Sequence, residues 1–265
     1  MLKSNQPNVT RVIKLLESQL NCALFIREPR GLKLTEEGKR LYEHVEVACQ
    51  HLFNAEAELS SLGEELGGTI EIGVTETALH LYLMDKICEF KKSYPEIKIK
   101  IRNNATPEVI SDLNGGKTDI AFITNPFSVS EKLTSRKMTE FHEILVGGST
   151  YAELAESRKT LKELCSYPLI GLGNGTATYE LYKAVFSEAK IDYELDMEVA
   201  TANLMLPLIQ NDLGIGFVPE VLAEPLLEKK ELVQIDVDMK MPPRDIQMVW
   251  DKGVGKSWAA ELIIK

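Results

Sequence analysis

Near the start of the chain, Val9, Val12, Ile13, Leu16 and Leu20 recur three and four residues apart, the period of a helix with one apolar face. Asn5 is placed to cap that helix and Pro7 suits its first turn. The opposite face carries Gln6, Asn8, Thr10, Arg11 and Lys14, side chains that hydrogen-bond base edges or phosphates when a helix lies in a major groove. Next, ALFIREPRGLKLTEEG alternates enough to predict two short strands, Leu24 to Arg27 and Leu32 to Leu34, joined by a basic turn from Pro29 to Gly31. Arg27, Arg30 and Lys33 would then track phosphates as a wing. A surface helix and hairpin with solvated charges accounts for the same pattern.

From Thr35 the period changes. Leu41, Val45, Ala48, Leu52, Ala55, Leu59, Leu62 and Leu66 follow at alternating spacings of four and three, a heptad seam. The span makes a rod of roughly 39 Å, which predicts pairing with a second copy through Leu41, Val45, Ala48, Leu52, Ala55, Leu59 and Leu62. The two alanines also permit packing against a sheet of the same chain. His44 and His51 sit seven apart on the rod and read as solvated flanks rather than metal ligands. Gly67 and Gly68 break the rod into a hinge.

Beyond residue 68 the pattern alternates between strand and helix. TIEIGV reads as a strand, TALHLYLMDKICEFKKSYP as a helix with Leu79, Leu83, Ile87 and Phe90 inward, and EIKIKIRNN, TPEVISDLNGGKT and DIAFIT as strand, helix and buried strand. This βαβαβ order predicts a parallel sheet. A second unit follows from HEILVGG through TLKELCSYPLIGLG, TYELYKAVFSEAKI, DYELDMEVAT and NLMLPLIQNDL to GIGFVPE. Two α/β lobes with a crossing near Asn125 and Pro126 imply a cleft between them. The organisation expected is 1–66 for head and rod and 67–265 for the body, with one lobe at about 68–125 plus 244–265 and the other at about 126–243.

Composition changes this picture in one respect. The net charge of −10 is unevenly spread: residues 1–41 carry +4 and the remainder −14. An acidic body with a basic head is expected where only one end meets phosphate. No run approaches the ~18 apolar residues of a membrane span, and no basic-apolar-small leader pattern opens the chain, so a cytoplasmic location is expected. The four cysteines, Cys22, Cys49, Cys88 and Cys165, are scattered and suggest neither a disulfide framework nor a metal site.

The segment NQPNVTRVIKLLESQLNCALFIREPRGLKLTEEGKRL resembles the second half of the winged helix-turn-helix of LysR-type transcriptional regulators. There a Gln-Pro pair opens the recognition helix, and a Leu-Phe strand, an arginine turn and a Leu-Thr-x-x-Gly follow. The family's first helix and most of its second have no counterpart before Met1, so the face of Val9, Val12, Ile13 and Leu16 is expected to lack its usual cover. The body resembles the family's effector domain, which has the periplasmic-binding-protein fold; LPLIQNDLGIGFVP matches by sequence and most of the lobe by element order. The resemblance covers nearly the whole chain. It implies a homodimer or homotetramer binding double-stranded operator DNA and a small effector, with RNA polymerase a further partner that the reading allows and no cofactor.

In such sheets ligands bind beyond the carboxyl ends of strands, where helix N-termini present free N–H groups. Thr75 and Thr77 open one helix, Asn174, Thr176 and Thr178 a second, and Thr201 with Asn203 a third, while Thr124 and Asn125 stand at the expected crossing. These positions correspond to those that hold the inducer in LysR-type effector domains. Hydroxyls converging with helix dipoles suit a small anion. Alternatively, each threonine only caps its own helix. GLGNGTATYE departs from the dinucleotide fingerprint, with Thr176 where the third glycine is required, and no catalytic constellation is evident. The fold class expected is therefore α/β: a partial winged helix-turn-helix, a long dimerisation helix and a two-lobed effector domain. A truncated sensor without DNA binding, or a stand-alone small-molecule-binding protein, is the alternative. An α/β enzyme is a third reading.

Overall fold

The computed structural model describes residues 6–28, 31–42, 44–45, 48–49, 52, 68–239, 241–253 and 263. The chain divides into two units, Met1–Ser60 and Ser61–Lys265.

In the first unit, helix α1 covers Gln6–Leu20. Asn21 takes a positive φ of 52° at its end, the left-handed conformation that asparagine tolerates and that terminates a helix. Strands β1 (Phe25–Glu28) and β2 (Gly31–Leu34) pair antiparallel, Phe25 opposite Leu34. Both begin one residue away from the expected bounds. The Glu17 carboxylate accepts from Leu24 N at 2.8 Å and from Phe25 N at 3.3 Å, tying α1 to the hairpin. Thr35 then donates to Ala23 O at 2.7 Å while its hydroxyl oxygen accepts from Gly38 N at 2.9 Å, capping helix α2 (36–42). A Cβ on Gly38 would run into the Leu24 carbonyl, which is why this Leu-Thr-x-x-Gly run needs its glycine. Leu24 is buried, whereas Val12 at 61% and Leu15 at 60% are exposed.

Residues 44–45, 48–49 and 52 continue in helical conformation. Of the expected seam, Leu41 is half-buried and Val45, Ala48 and Leu52 are exposed. Ala55, Leu59, Leu62 and Leu66 and the hinge at Gly67 lie outside the described residues.

The second unit is built on a five-stranded sheet of order β4 (Ile97–Asn103), β3 (Gly68–Val74), β5 (Ile120–Thr124), β12 (Arg244–Asp251) and β6 (Leu133–Phe141). Strand β3 (Gly68–Val74) lies parallel to β4 (Ile97–Asn103) and β5 (Ile120–Thr124). Helix α3 starts at Glu76–Ala78, widens into a π turn over Leu79–Leu83 and continues through Met84–Ser93. It buries Leu83 and Phe90 against Ile70, Ile72, Phe122 and Met248. Helix α4 (Thr106–Asn114) turns Val109 and Leu113 onto Ala121 and Ile123. Central strands β3 and β5 are apolar on both faces because helices or strands cover both. Glu71 is the exception in β3: it is 7% exposed and held by Lys100 Nζ at 2.7 Å and Arg102 Nη2 at 3.1 Å from the neighbouring strand.

Two expectations about the path need correction. Strand β6 (Leu133–Phe141) pairs with β12 (Arg244–Asp251) in this first sheet, whereas the sequence pattern places 126–243 in the second lobe. The chain therefore leaves the sheet after Phe141, not at Asn125, and returns with Arg244, where the sequence pattern places the return. The second lobe is also not a repeat of the parallel unit. Its centre, β7 (Glu143–Gly148), lies antiparallel to both β10 (Ile215–Pro219) and β11 (Leu232–Ile235). Helices α5 (Leu161–Leu164), α6 (Ala177–Glu188), α7 (Met205–Gln210) and α8 (Glu220–Glu228) complete it, with β8 (Ile170–Leu172) and β9 (Met197–Val199) paired in parallel. Period and composition alone do not set strand direction, so the antiparallel β7 was not legible in the pattern.

Candidate functional site: the interlobe cleft and the basic helix

Thr75 follows β3 and Thr124 ends β5, two strands paired in parallel, and Thr75 N donates to Phe122 O at 3.0 Å. Their carboxyl ends thus open side by side, the place where parallel sheets receive ligands. Thr75 is 8% exposed, makes no side-chain cap, and its hydroxyl has no hydrogen-bond partner among the described residues. A buried hydroxyl normally finds a partner; the Thr118 hydroxyl is the other buried side-chain group without one among the described residues, and of the two only Thr75 stands at the carboxyl ends of the strands. Thr176 instead fulfils the capping role: its oxygen accepts from Tyr179 N at 3.1 Å and it donates to Gly173 O at 3.0 Å.

Sequence reasoning missed the group that organises the centre. Arg244 heads β12 where the chain returns to the first sheet, and Glu143 heads β7 where it leaves. Their side chains are 3% and 5% exposed and meet at 2.9 and 3.0 Å. The guanidinium also donates to Asn125 O at 2.8 Å and to the hydroxyls of Thr124 and Thr178, each at 3.2 Å, and lies 5.3 Å above the Phe141 ring. Tyr182 donates to Glu143 at 2.7 Å. Burial, and then the Glu143 charge, push the Tyr182 phenol well above its ordinary value, so it stays protonated as that donor. The available signal was one acid opening the apolar strand in HEILVGG and one arginine opening the strand in RDIQMVW.

This geometry has a chemical consequence. A guanidinium can only donate, so the hydroxyl oxygens of Thr124 and Thr178 are acceptors towards Arg244, and their protons must point elsewhere. With Thr75, these are three hydroxyls, two from the first lobe's side and one from α6, whose protons no described hydrogen bond uses. The arginine charge is offset by Glu143. On the rim, Glu76 accepts from Asn203 N at 3.0 Å, and Asn203 Nδ2 lies 3.2 Å from His80 Nε2, linking α3 to the turn at Ala202–Leu204. Thr77, Asn125 and Thr201 are half-buried and Asn174 is exposed. Thr201 opens its turn without a side-chain cap.

On the first unit, Pro7, Asn8, Thr10, Arg11 and Lys14 are exposed on α1 and Lys33 is exposed on β2. Arg30 and the side chains of Gln6 and Arg27 lie outside what is described.

A family model described as the LysR substrate binding domain matches residues 63–265, and one described as the bacterial regulatory helix-turn-helix protein of the lysR family matches residues 1–39. This chain belongs to the LysR family of transcriptional regulators. Among LysR relatives, the regulator YofA of Bacillus subtilis is 27% identical over 221 residues, covering 83% of this chain and 74% of the relative. The regulator CysB of Burkholderia cenocepacia is 24% identical over 225 residues, 84% and 72% of the two chains. In structure, the full-length Vibrio cholerae virulence activator AphB, at 24% identity, covers 99% of this chain and 89% of its own with a TM-score of 0.63. The effector binding domain of QuiR in complex with shikimate, at 19% identity, covers 75% and 94% with a TM-score of 0.63. The two LysR models together place a DNA-binding portion and an effector domain on one chain, and the reading as a sensor without a DNA-binding head is not favoured.

Proposed function

We propose that this LysR-family chain reads a two-fold operator in the cytoplasm, as a dimer or tetramer joined through the helix that starts at residue 36. In this reading Gln6, Pro7, Asn8, Thr10, Arg11 and Lys14 approach bases and backbone, and Arg27, Arg30 and Lys33 follow the phosphates. The body, 67–265, senses a small effector that presents acceptor oxygens, a carboxylate or an oxyanion, to Thr75, Thr124 and Thr178, with Thr77, Asn125, Asn174, Thr176, Thr201 and Asn203 around it. RNA polymerase is the partner through which a bound regulator would act.

The observation that carries the effector reading is the partnerless buried hydroxyl of Thr75 beside two hydroxyls whose protons Arg244 directs away from itself. Binding that draws the lobes together would couple to the spacing of the heads, and coupling of that kind is reciprocal. The test is a calorimetric titration of small organic acids and inorganic oxyanions against their neutral amides or alcohols. Acids should bind at least tenfold tighter to the parent chain and lose that advantage in Thr75→Val. A preference for the neutral analogues, or indifference to Thr75→Val, rejects the assignment. For the head, Arg11→Ala should weaken binding to all duplex sequences and flatten its salt dependence, because each phosphate contact releases counterions; an unchanged slope rejects α1 as the DNA-facing helix.

A further inference from the structure

The second lobe contains a cavity of about 410 Å³ between α5 and the strap of residues 191–196. It shares no residue with the threonine cluster. The apolar part of its wall comes from Leu164, Leu169, Phe186, Leu195 and Phe217 with the Tyr167 ring, and polar groups make up the rest. A pocket of this size is in the range that holds small molecules. Phe186, Leu164 and Phe217 are themselves core residues, 3%, 4% and 5% exposed, so the wall is fixed by packing on the lobe's own core.

The mouth is of one sign. Asp192, Glu194 and Asp196 line it together with the thiol of Cys165, and no lysine or arginine does. Asp196 is engaged in the fold, accepting from Leu169 N at 2.8 Å. Asp192 and Glu194 are exposed and have no hydrogen bond or ion pair to any described residue. A chamber with an apolar side and a side of unpaired carboxylates is complementary to a molecule with a hydrocarbon body and a positive end.

We propose that this cavity is a second ligand site that takes a hydrophobic ammonium ion, its ring or branched chain against Phe186, Leu195 and Phe217 and its charge between Asp192 and Glu194. The carboxylates exclude the corresponding acid by like-charge repulsion, so selectivity is a matter of sign rather than shape. The site stands independently of the acid-binding cleft.

The test compares 2-phenylethylammonium with 3-phenylpropionate, which carry the same ring on a similar tether with opposite charge. In calorimetry on the full chain, the ammonium ion should bind at least tenfold tighter. In Asp192→Asn/Glu194→Gln, two exposed positions whose replacement leaves the fold intact, that difference should shrink to less than threefold. A chain with Cys22, Cys49 and Cys88 changed to serine locates the site: the ammonium ion should slow disulfide exchange at Cys165 at least fivefold, and Thr75→Val should leave that protection unchanged. Equal affinity for the two probes, no binding of the ammonium ion up to about 10 mM, or binding that leaves Cys165 unprotected each overturns the proposal.

Discussion

Removing Arg244 tests the centre of the second unit most directly. In Arg244→Met the side-chain stem is kept, but Glu143 loses contacts at 2.9 and 3.0 Å, Asn125 O loses two, at 2.8 and 3.2 Å, Thr124 loses one at 3.2 Å and Thr178 loses two at 3.2 Å. The Glu143 side chain, 5% exposed, is left as a buried charge facing the Tyr182 hydroxyl. Breaking a buried pair by deleting one partner typically costs about 3–5 kcal/mol, because the other charge remains uncompensated. For a unit of roughly 200 residues, each kcal/mol moves the midpoint by about 2–4 °C, so scanning calorimetry should show a fall of roughly 6–20 °C. The double variant Arg244→Met/Glu143→Gln removes the stranded charge while leaving an acceptor for Tyr182. It should therefore be more stable than Arg244→Met alone. Arg244→Lys, with three donors on one nitrogen in place of a planar fork, should fall between parent and methionine variant. A cost below about 1 kcal/mol for Arg244→Met, or a double variant less stable than the single, would show that the pair does not hold the crossing strands.

Three further outcomes follow from the same contacts. Burial alone would push the Glu71 carboxyl up, but hydrogen bonds from Lys100 and Arg102 outweigh it and hold the group below its ordinary value. Its contribution is thus present above about pH 4.3 and lost as pH falls through the folded value; Glu71→Gln should cost about 1 kcal/mol at pH 7, with the gap to the parent closing in melts at pH 3–4. Thr75→Val deletes a buried hydroxyl that has no partner and should change the ligand-free melting midpoint by no more than about 0.5 kcal/mol equivalent; a large loss would mean that the hydroxyl serves the fold. Thr35→Ala removes both the α2 cap and the bond to Ala23 O and should destabilise the head by about 1–2 kcal/mol. Thr35→Ser should recover most of that in limited proteolysis of residues 1–60, and equal protection of the alanine variant would reject the cap.

Much of this protein was legible because its signals are local. The apolar period from Val9 to Leu20 is set by helix geometry, and α1 covers it from Gln6 to Leu20. The βαβαβ run from TIEIGV to DIAFIT follows from strand and helix periods together with the handedness of crossovers, and the five elements lie where those periods put them, with β3 flanked by β4 and β5. Family motifs in the head and in LPLIQNDLGIGFVP extended the reading to an effector domain, which the family model matches over residues 63–265.

What remained hidden depends on chain direction and on contacts across long separations. β6 reads as a polar, half-exposed stretch, and only its pairing with β12 keeps it in the first sheet. Thr75 and Thr176 look alike in sequence, each following a strand and opening a helix, yet Thr176 caps its helix and Thr75 does not. Glu143 and Arg244 stand 101 positions apart, and each alone is an ordinary charge beside an apolar run. Helical and strand periods are fixed by the backbone within a few residues, whereas a buried ion pair exists only once two distant strands are brought side by side and water is excluded. The sequence therefore determined the kind of elements, the basic head and the family, and tertiary structure decided which hydroxyls cap a helix, which accept from Arg244 and which is left without a partner.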